Sequence, residues 1–93
     1  MAREHVNGKK KAQIMLYALS TCVWCKKTRA LLDSLGVEYD YEYVDLLKDD
    51  DKRKVLDIVR KWNPACNFPT LVIDSKKCIV GFKEDDIREA LGK

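Results

Sequence analysis

Apolar positions along the chain change period several times, and each change marks an element. Residues 13–19 (Gln-Ile-Met-Leu-Tyr-Ala-Leu) form a short apolar run closed by Ser20-Thr21, which predicts a buried strand. Ser20 or Thr21 then offers an N-cap for a helix reaching about Leu35. Thr28, Leu31, Leu32 and Leu35 of that helix share one face, and Gly36 is a natural stop. From Val37 the period becomes two: Val37, Tyr39, Tyr41 and Tyr43 alternate with Glu38, Asp40 and Glu42, as in a half-buried strand. Asp49-Asp50-Asp51 suits the positive end of a second helix, whose Val55, Ile58, Val59 and Trp62 line one face before Asn63-Pro64 ends it. Two further apolar runs, residues 69–73 and 77–81, flank the turn Asp74-Ser75-Lys76 and predict a β-hairpin. A last helix begins near Glu84-Asp85-Asp86, with Ile87, Ala90 and Leu91 facing inward.

The order is β-α-β-α-β-β-α. A helical crossover between the first two strands favours a parallel pair, and the hairpin adds antiparallel strands. The predicted architecture is therefore α/β, one four-stranded mixed sheet flanked by three helices. Ninety-three residues make one domain, placed here over residues 13–93. Residues 1–12 lack periodicity and are expected to be a disordered basic tail.

Charge sharpens that division. The tail holds Arg3, Lys9, Lys10 and Lys11 against Glu4, while the rest of the chain carries 14 basic and 14 acidic residues. An electroneutral body argues against a nucleic-acid partner, which calls for a basic face on the fold. No run approaches the roughly 18 apolar residues of a membrane span, so no membrane role is expected. Residues 1–13 contain basic residues without an apolar segment behind them, and a cytoplasmic location is expected.

The chemistry resides in Cys22-Val23-Trp24-Cys25. Cys22 falls between a strand and the first turn of a helix, where free N–H groups and partial positive charge favour a thiolate, the nucleophile of disulfide exchange. Lys26 and Lys27 stand one turn on. Cys25, three residues later, lies on the same helix face and one turn deeper. The expected roles follow: Cys22 attacks and Cys25 resolves, while Val23 and Trp24 shape the contact surface. A zinc site would need a second close pair, but Cys66 and Cys78 are far apart in sequence and the sole histidine, His5, is in the tail. No metal is expected.

These residues resemble the glutaredoxin family of the thioredoxin fold over about residues 13–92. The matching pieces are Ile14-Met15-Leu16-Tyr17, the cysteine motif at a helix start, Phe68-Pro69-Thr70 opening a strand, and Val80-Gly81-Phe82 before an acidic helix start. The resemblance implies a thiol–disulfide oxidoreductase that acts on protein or glutathione-mixed disulfides. It implies no tightly bound cofactor, with glutathione as a possible co-substrate and glutathione or a reductase as electron donor. It also implies a cis Phe68-Pro69 bond facing the cysteines, and a wall of Phe68, Pro69 and Thr70 along which the substrate is held. Asp85 or Asp86 is then a candidate for a glutathione amino group or for a helix N-cap.

Several positions depart from the common glutaredoxin pattern. Leu19 stands where many members have a basic residue, Gly81-Phe82 replaces paired glycines, and the residues before Pro69 differ from the usual Thr-Val-Pro. These departures resemble glutaredoxin-like redoxins served by a flavin- or ferredoxin-linked reductase more than glutathione-dependent glutaredoxins. An alternative within the family is an iron–sulfur carrier that bridges a cluster through Cys22 and glutathione, against which the bulky Val23-Trp24 argues. Cys66, three residues before Pro69, is read as loop filling or as a secondary redox group, and Cys78 as a small buried apolar side chain.

Overall fold

The computed structural model describes residues 3–91. Its strands are β1 (Arg3–Val6), β2 (Ile14–Ala18), β3 (Tyr39–Tyr43), β4 (Thr70–Ile73) and β5 (Lys77–Val80). Its helices are α1 (Val23–Leu35), α2 (Asp49–Trp62) and α3 (Glu84–Leu91), and a one-turn 3-10 helix, Val44–Leu46, follows β3. The strands form one sheet in the order β1-β3-β2-β4-β5. As the crossover rule requires, β2 and β3 are parallel, while β2–β4 and β4–β5 are antiparallel.

Sequence and structure part at the N-terminus. The sheet has five strands rather than four, because Arg3–Val6 pairs antiparallel with β3 along its edge. Residues 3–6 and the bridge at Lys9 are therefore ordered parts of the fold rather than a disordered tail; Met1, Ala2, Gly92 and Lys93 lie outside the described residues. Periodicity missed this strand because it is held by distant partners: it pairs with β3, and Val6 packs on the core. The His5 ring contacts Asp40 through Nδ1, and Nε2 lies 3.6 Å from Glu38, so both carboxylates hold His5 above its usual pKa. Two further bonds close the segment: the Lys9 N–H donates to Gly36 O at 2.8 Å, and the Glu38 N–H donates to Lys9 O at 2.9 Å. At Gly8 a Cβ would stand 2.7 Å from the Gly36 carbonyl oxygen, so the close approach requires glycine.

Two apolar layers sandwich the sheet. On one face Leu31 and Leu32 of α1 meet Ile87 and Leu91 of α3 over Ile14, Leu16, Leu71 and Ile79. On the other, Val55 and Val59 of α2 pack on Tyr17, Val44 and Val72. The α2 face is rotated slightly from the expected one: Leu56 packs inward, whereas Ile58 is exposed. Ala90 is also exposed, so Ile87 and Leu91 alone anchor α3. With β1 beside it, β3 is interior to the sheet, and Glu42 is buried although the alternation assigned it to solvent.

Candidate active site

The apolar run of β2 ends at Ala18, and the chain turns through residues 19–21 into α1. Cys22, rather than Ser20 or Thr21, is the N-cap: its backbone is extended and its sulfur accepts from the Cys25 N–H at 3.1 Å. The hydroxyl next to the motif has another partner. Ser20 donates its backbone N–H to Asp45 Oδ1 at 2.9 Å and its hydroxyl to Oδ2 at 2.5 Å, which ties the turn to the 3-10 helix after β3. Partial burial pushes the Asp45 carboxyl up, but both Ser20 groups, its own N–H and the charge of Lys52 outweigh it and hold the carboxyl below its usual range. Asp45 has no local signal in the sequence, since it meets Ser20 across 25 positions.

The two cysteines are free thiols in different surroundings. Cys22 is partly exposed at the mouth of α1, whereas Cys25 is 1% exposed beneath it. Burial pushes the Cys25 thiol up to about 12, helped by its hydrogen bond with Cys22 and the negative charge of Asp45, and opposed by a bond from the Leu19 backbone. Thr28, fully buried, donates its hydroxyl to the Trp24 carbonyl at 2.9 Å and steadies the first turn.

Beside the motif lies an aromatic shelf. Val23 and Trp24 are 62% and 55% exposed, unusual for large apolar side chains. The Trp24 ring stacks on Phe82 with centroids 6.1 Å apart, and Lys27 Nζ stands 4.7 Å from the Trp24 centroid. Trp24, Phe68, Gly81 and Phe82 enclose a shallow cavity of about 280 Å³. Phe68 thus lines the same cavity as Trp24 of the motif, and the Phe68-Pro69 peptide is cis. The Gly81 N–H donates to the Pro69 carbonyl at 2.8 Å from a φ of 85°, a conformation that favours glycine.

Three other residues of the expected site have surroundings of their own. Thr70 is fully buried, and its hydroxyl is used internally, donating to Asn67 O at 2.7 Å. Asp85 is exposed within the first turn of α3, where it complements the helix dipole rather than capping the helix. Cys66 is partly buried against the α2 layer in the left-handed region, at φ 55°, a conformation costing a non-glycine residue about 1–2 kcal/mol. Cys78 is half-buried on the edge strand β5, and burial raises its thiol. Among the described residues no group of three His, Cys, Asp or Glu side chains is gathered for a metal ion, and no helix is long and apolar enough to cross a membrane.

The comparisons with known proteins converge on this geometry. The glutaredoxin family model matches residues 14–78. A glutaredoxin from Methanosarcina mazei superposes with a TM-score of 0.91 at 48% identity, covering 100% of this chain and 90% of that one. The methanoredoxin of Methanosarcina acetivorans gives 0.89 at 50% identity, covering 92% and 90%. An uncharacterised glutaredoxin-like 8.6 kDa protein from the rubredoxin operon of Clostridium pasteurianum is 31% identical over 86% of this chain and 99% of its own length. A probable maleylacetoacetate isomerase from Caenorhabditis elegans is 38% identical over 64% of this chain, but the match spans 25% of that longer protein. A buckwheat glutaredoxin in complex with glutathione, at 19% identity, shares the fold. The chain belongs to the glutaredoxin family, with a thioredoxin-like fold and nearer to the archaeal glutaredoxin-like redoxins than to the glutathione-complexed plant member.

Proposed function

We propose that this chain is a thiol–disulfide oxidoreductase that reduces protein disulfides by dithiol exchange. The observation that carries the reading is the asymmetry of the motif: a partly exposed Cys22 sulfur at a helix mouth, receiving the Cys25 N–H, with a buried and protonated Cys25 directly behind it. The Cys22 thiolate attacks one sulfur of the substrate disulfide, forming a mixed disulfide and releasing the other sulfur, which takes a proton. Cys25 then gives up its proton and attacks the Cys22 sulfur. The second substrate thiol leaves, and two electrons have passed to the substrate. The chain is left as the Cys22–Cys25 disulfide, reduced again by two glutathione thiols or by a dedicated reductase. Where glutathione is the reductant it acts as a co-substrate, and no resident cofactor takes part in this scheme.

The high Cys25 thiol has a purpose here. A protonated Cys25 does not compete for the incoming disulfide; once Cys22 is held in the mixed disulfide, its hydrogen bond and charge no longer hold the Cys25 proton in place, and that proton passes to the departing substrate sulfur. The Trp24–Phe82 shelf and Phe68 receive the apolar flank of the substrate segment.

Replacement of each cysteine tests the scheme. Cys22→Ser is expected to abolish reduction of a protein disulfide. Cys25→Ser is expected to form a stable mixed disulfide and lose turnover on that substrate. Full activity in Cys22→Ser overturns the assignment.

A further inference from the structure

Residues 63–69 join α2 to β4 and carry Phe68 to the cavity it shares with Trp24, yet they contain no regular secondary structure. One side chain holds this segment together. Asn63, the C-cap of α2, is 7% exposed, and its backbone N–H closes the helix on Val59 O at 2.7 Å. Its carbonyl accepts the Cys66 N–H at 2.8 Å. Its amide Nδ2 points across the loop, donating to Asn67 O at 3.1 Å and, more weakly, to Thr70 Oγ1 at 3.4 Å. The Thr70 hydroxyl returns the contact by donating to the same Asn67 carbonyl at 2.7 Å. Helix end, loop and strand start thus meet at a single carbonyl, immediately before Phe68.

We propose that Asn63, acting with Thr70, is a positioning residue that fixes Phe68-Pro69 beside Trp24 and so sets how well a substrate segment docks. The reasoning is energetic. A buried amide that loses its partners, or a buried carbonyl that loses its donors, is costly, so the loop has one arrangement that satisfies all three groups. Phe68 is the next residue after the clamped carbonyl and lines the cavity with Trp24, Gly81 and Phe82. Small shifts of Asn67 are therefore transmitted to the wall of the site without touching either sulfur.

The proposal rests on the reading of Cys22 and Cys25 as a thiol–disulfide exchange pair, and its test separates the two. Asn63→Ala, Thr70→Val and Thr70→Ser are compared with the unsubstituted protein on a protein disulfide and on a small symmetric aromatic disulfide, at a temperature where each is folded by circular dichroism. In Asn63→Ala and Thr70→Val, KM for the protein disulfide should rise about tenfold, with kcat and the rate on the small disulfide within about twofold. Thr70→Ser, which keeps the hydroxyl, should restore KM. A residue with a merely structural role would lower the melting temperature and leave KM unchanged, and an unchanged KM in Thr70→Val overturns the proposal. Should Asn63→Ala fail to fold, the Thr70→Val and Thr70→Ser pair decides alone. An unsubstituted protein inactive on both disulfides would instead sink the exchange reading itself.

Discussion

The two ends of α1 are built on opposite terms. Its first turn presents Cys22, Val23 and Trp24 to solvent, with apolar surface left uncovered. From Cys25 onward the helix is anchored: Thr28, Leu31 and Leu32 are buried, and Arg29 donates to Tyr39 Oη at 3.3 Å and Tyr43 Oη at 3.1 Å while lying 3.8 Å from the Tyr41 ring centroid. Tyr39 in turn donates to Asp33 at 2.7 Å, and burial pushes its phenol up to about 12. The contrast teaches that the reactive end is held in place from behind. A rigid buried half fixes the position of an exposed first turn, which is then free to meet a partner.

The comparison breaks most sharply at Leu32, which is fully buried. Leu32→Ala should destabilise the fold by about 2–5 kcal/mol through lost burial and the cavity left behind. Urea unfolding measures this, and the intrinsic reactivity of Cys22 toward a small alkylating agent should be unchanged in the folded protein. Loss of Cys22 reactivity in folded Leu32→Ala would show that the two ends are not separable.

A smaller effect sits at the boundary, on Cys25. Its folded thiol is raised from 9.0 to about 12, so the unfolded chain ionises first as pH rises. The stability contributed by the buried neutral thiol is complete below about pH 9 and declines as pH rises from there toward 12. Unfolding curves across that window should flatten in Cys25→Ala. In the same range iodoacetamide should modify Cys22 well before Cys25, as peptide mapping would read.

The smallest effect belongs to the anchoring cation. Arg29→Lys keeps the charge but loses the planar fork that serves two phenols and a ring, and it should cost about 1 kcal/mol. Exchange activity should be unaltered, measured beside the unfolding midpoint.

How far the sequence foretold these regions depended on whether a feature was local. The helix positions of Leu31 and Leu32, the stop at Gly36 and the half-exposed, half-buried character of Cys22 and Cys25 follow from spacing alone. Ile58 and Ala90 were placed inward by the same spacing and are exposed, because a helix face is finally oriented by what it packs on. Thr70 shows the limit most plainly: beside Pro69 it reads as a substrate contact, and the fold turns its hydroxyl inward.

By itself the sequence determined the alternation of strands and helices, the order β-α-β-α-β-β-α downstream of residue 13, and a cysteine pair at a helix start, since each is written in contacts a few residues apart. The tertiary structure decided what depends on distant partners. It recruited Arg3–Val6 as a fifth strand through pairing with β3, bound Ser20 to Asp45, and joined the Asn63 amide to the Asn67 carbonyl in the loop before Phe68. Hydrophobic periodicity records which way a side chain faces on its own element. It carries no record of which buried polar group will meet it from another.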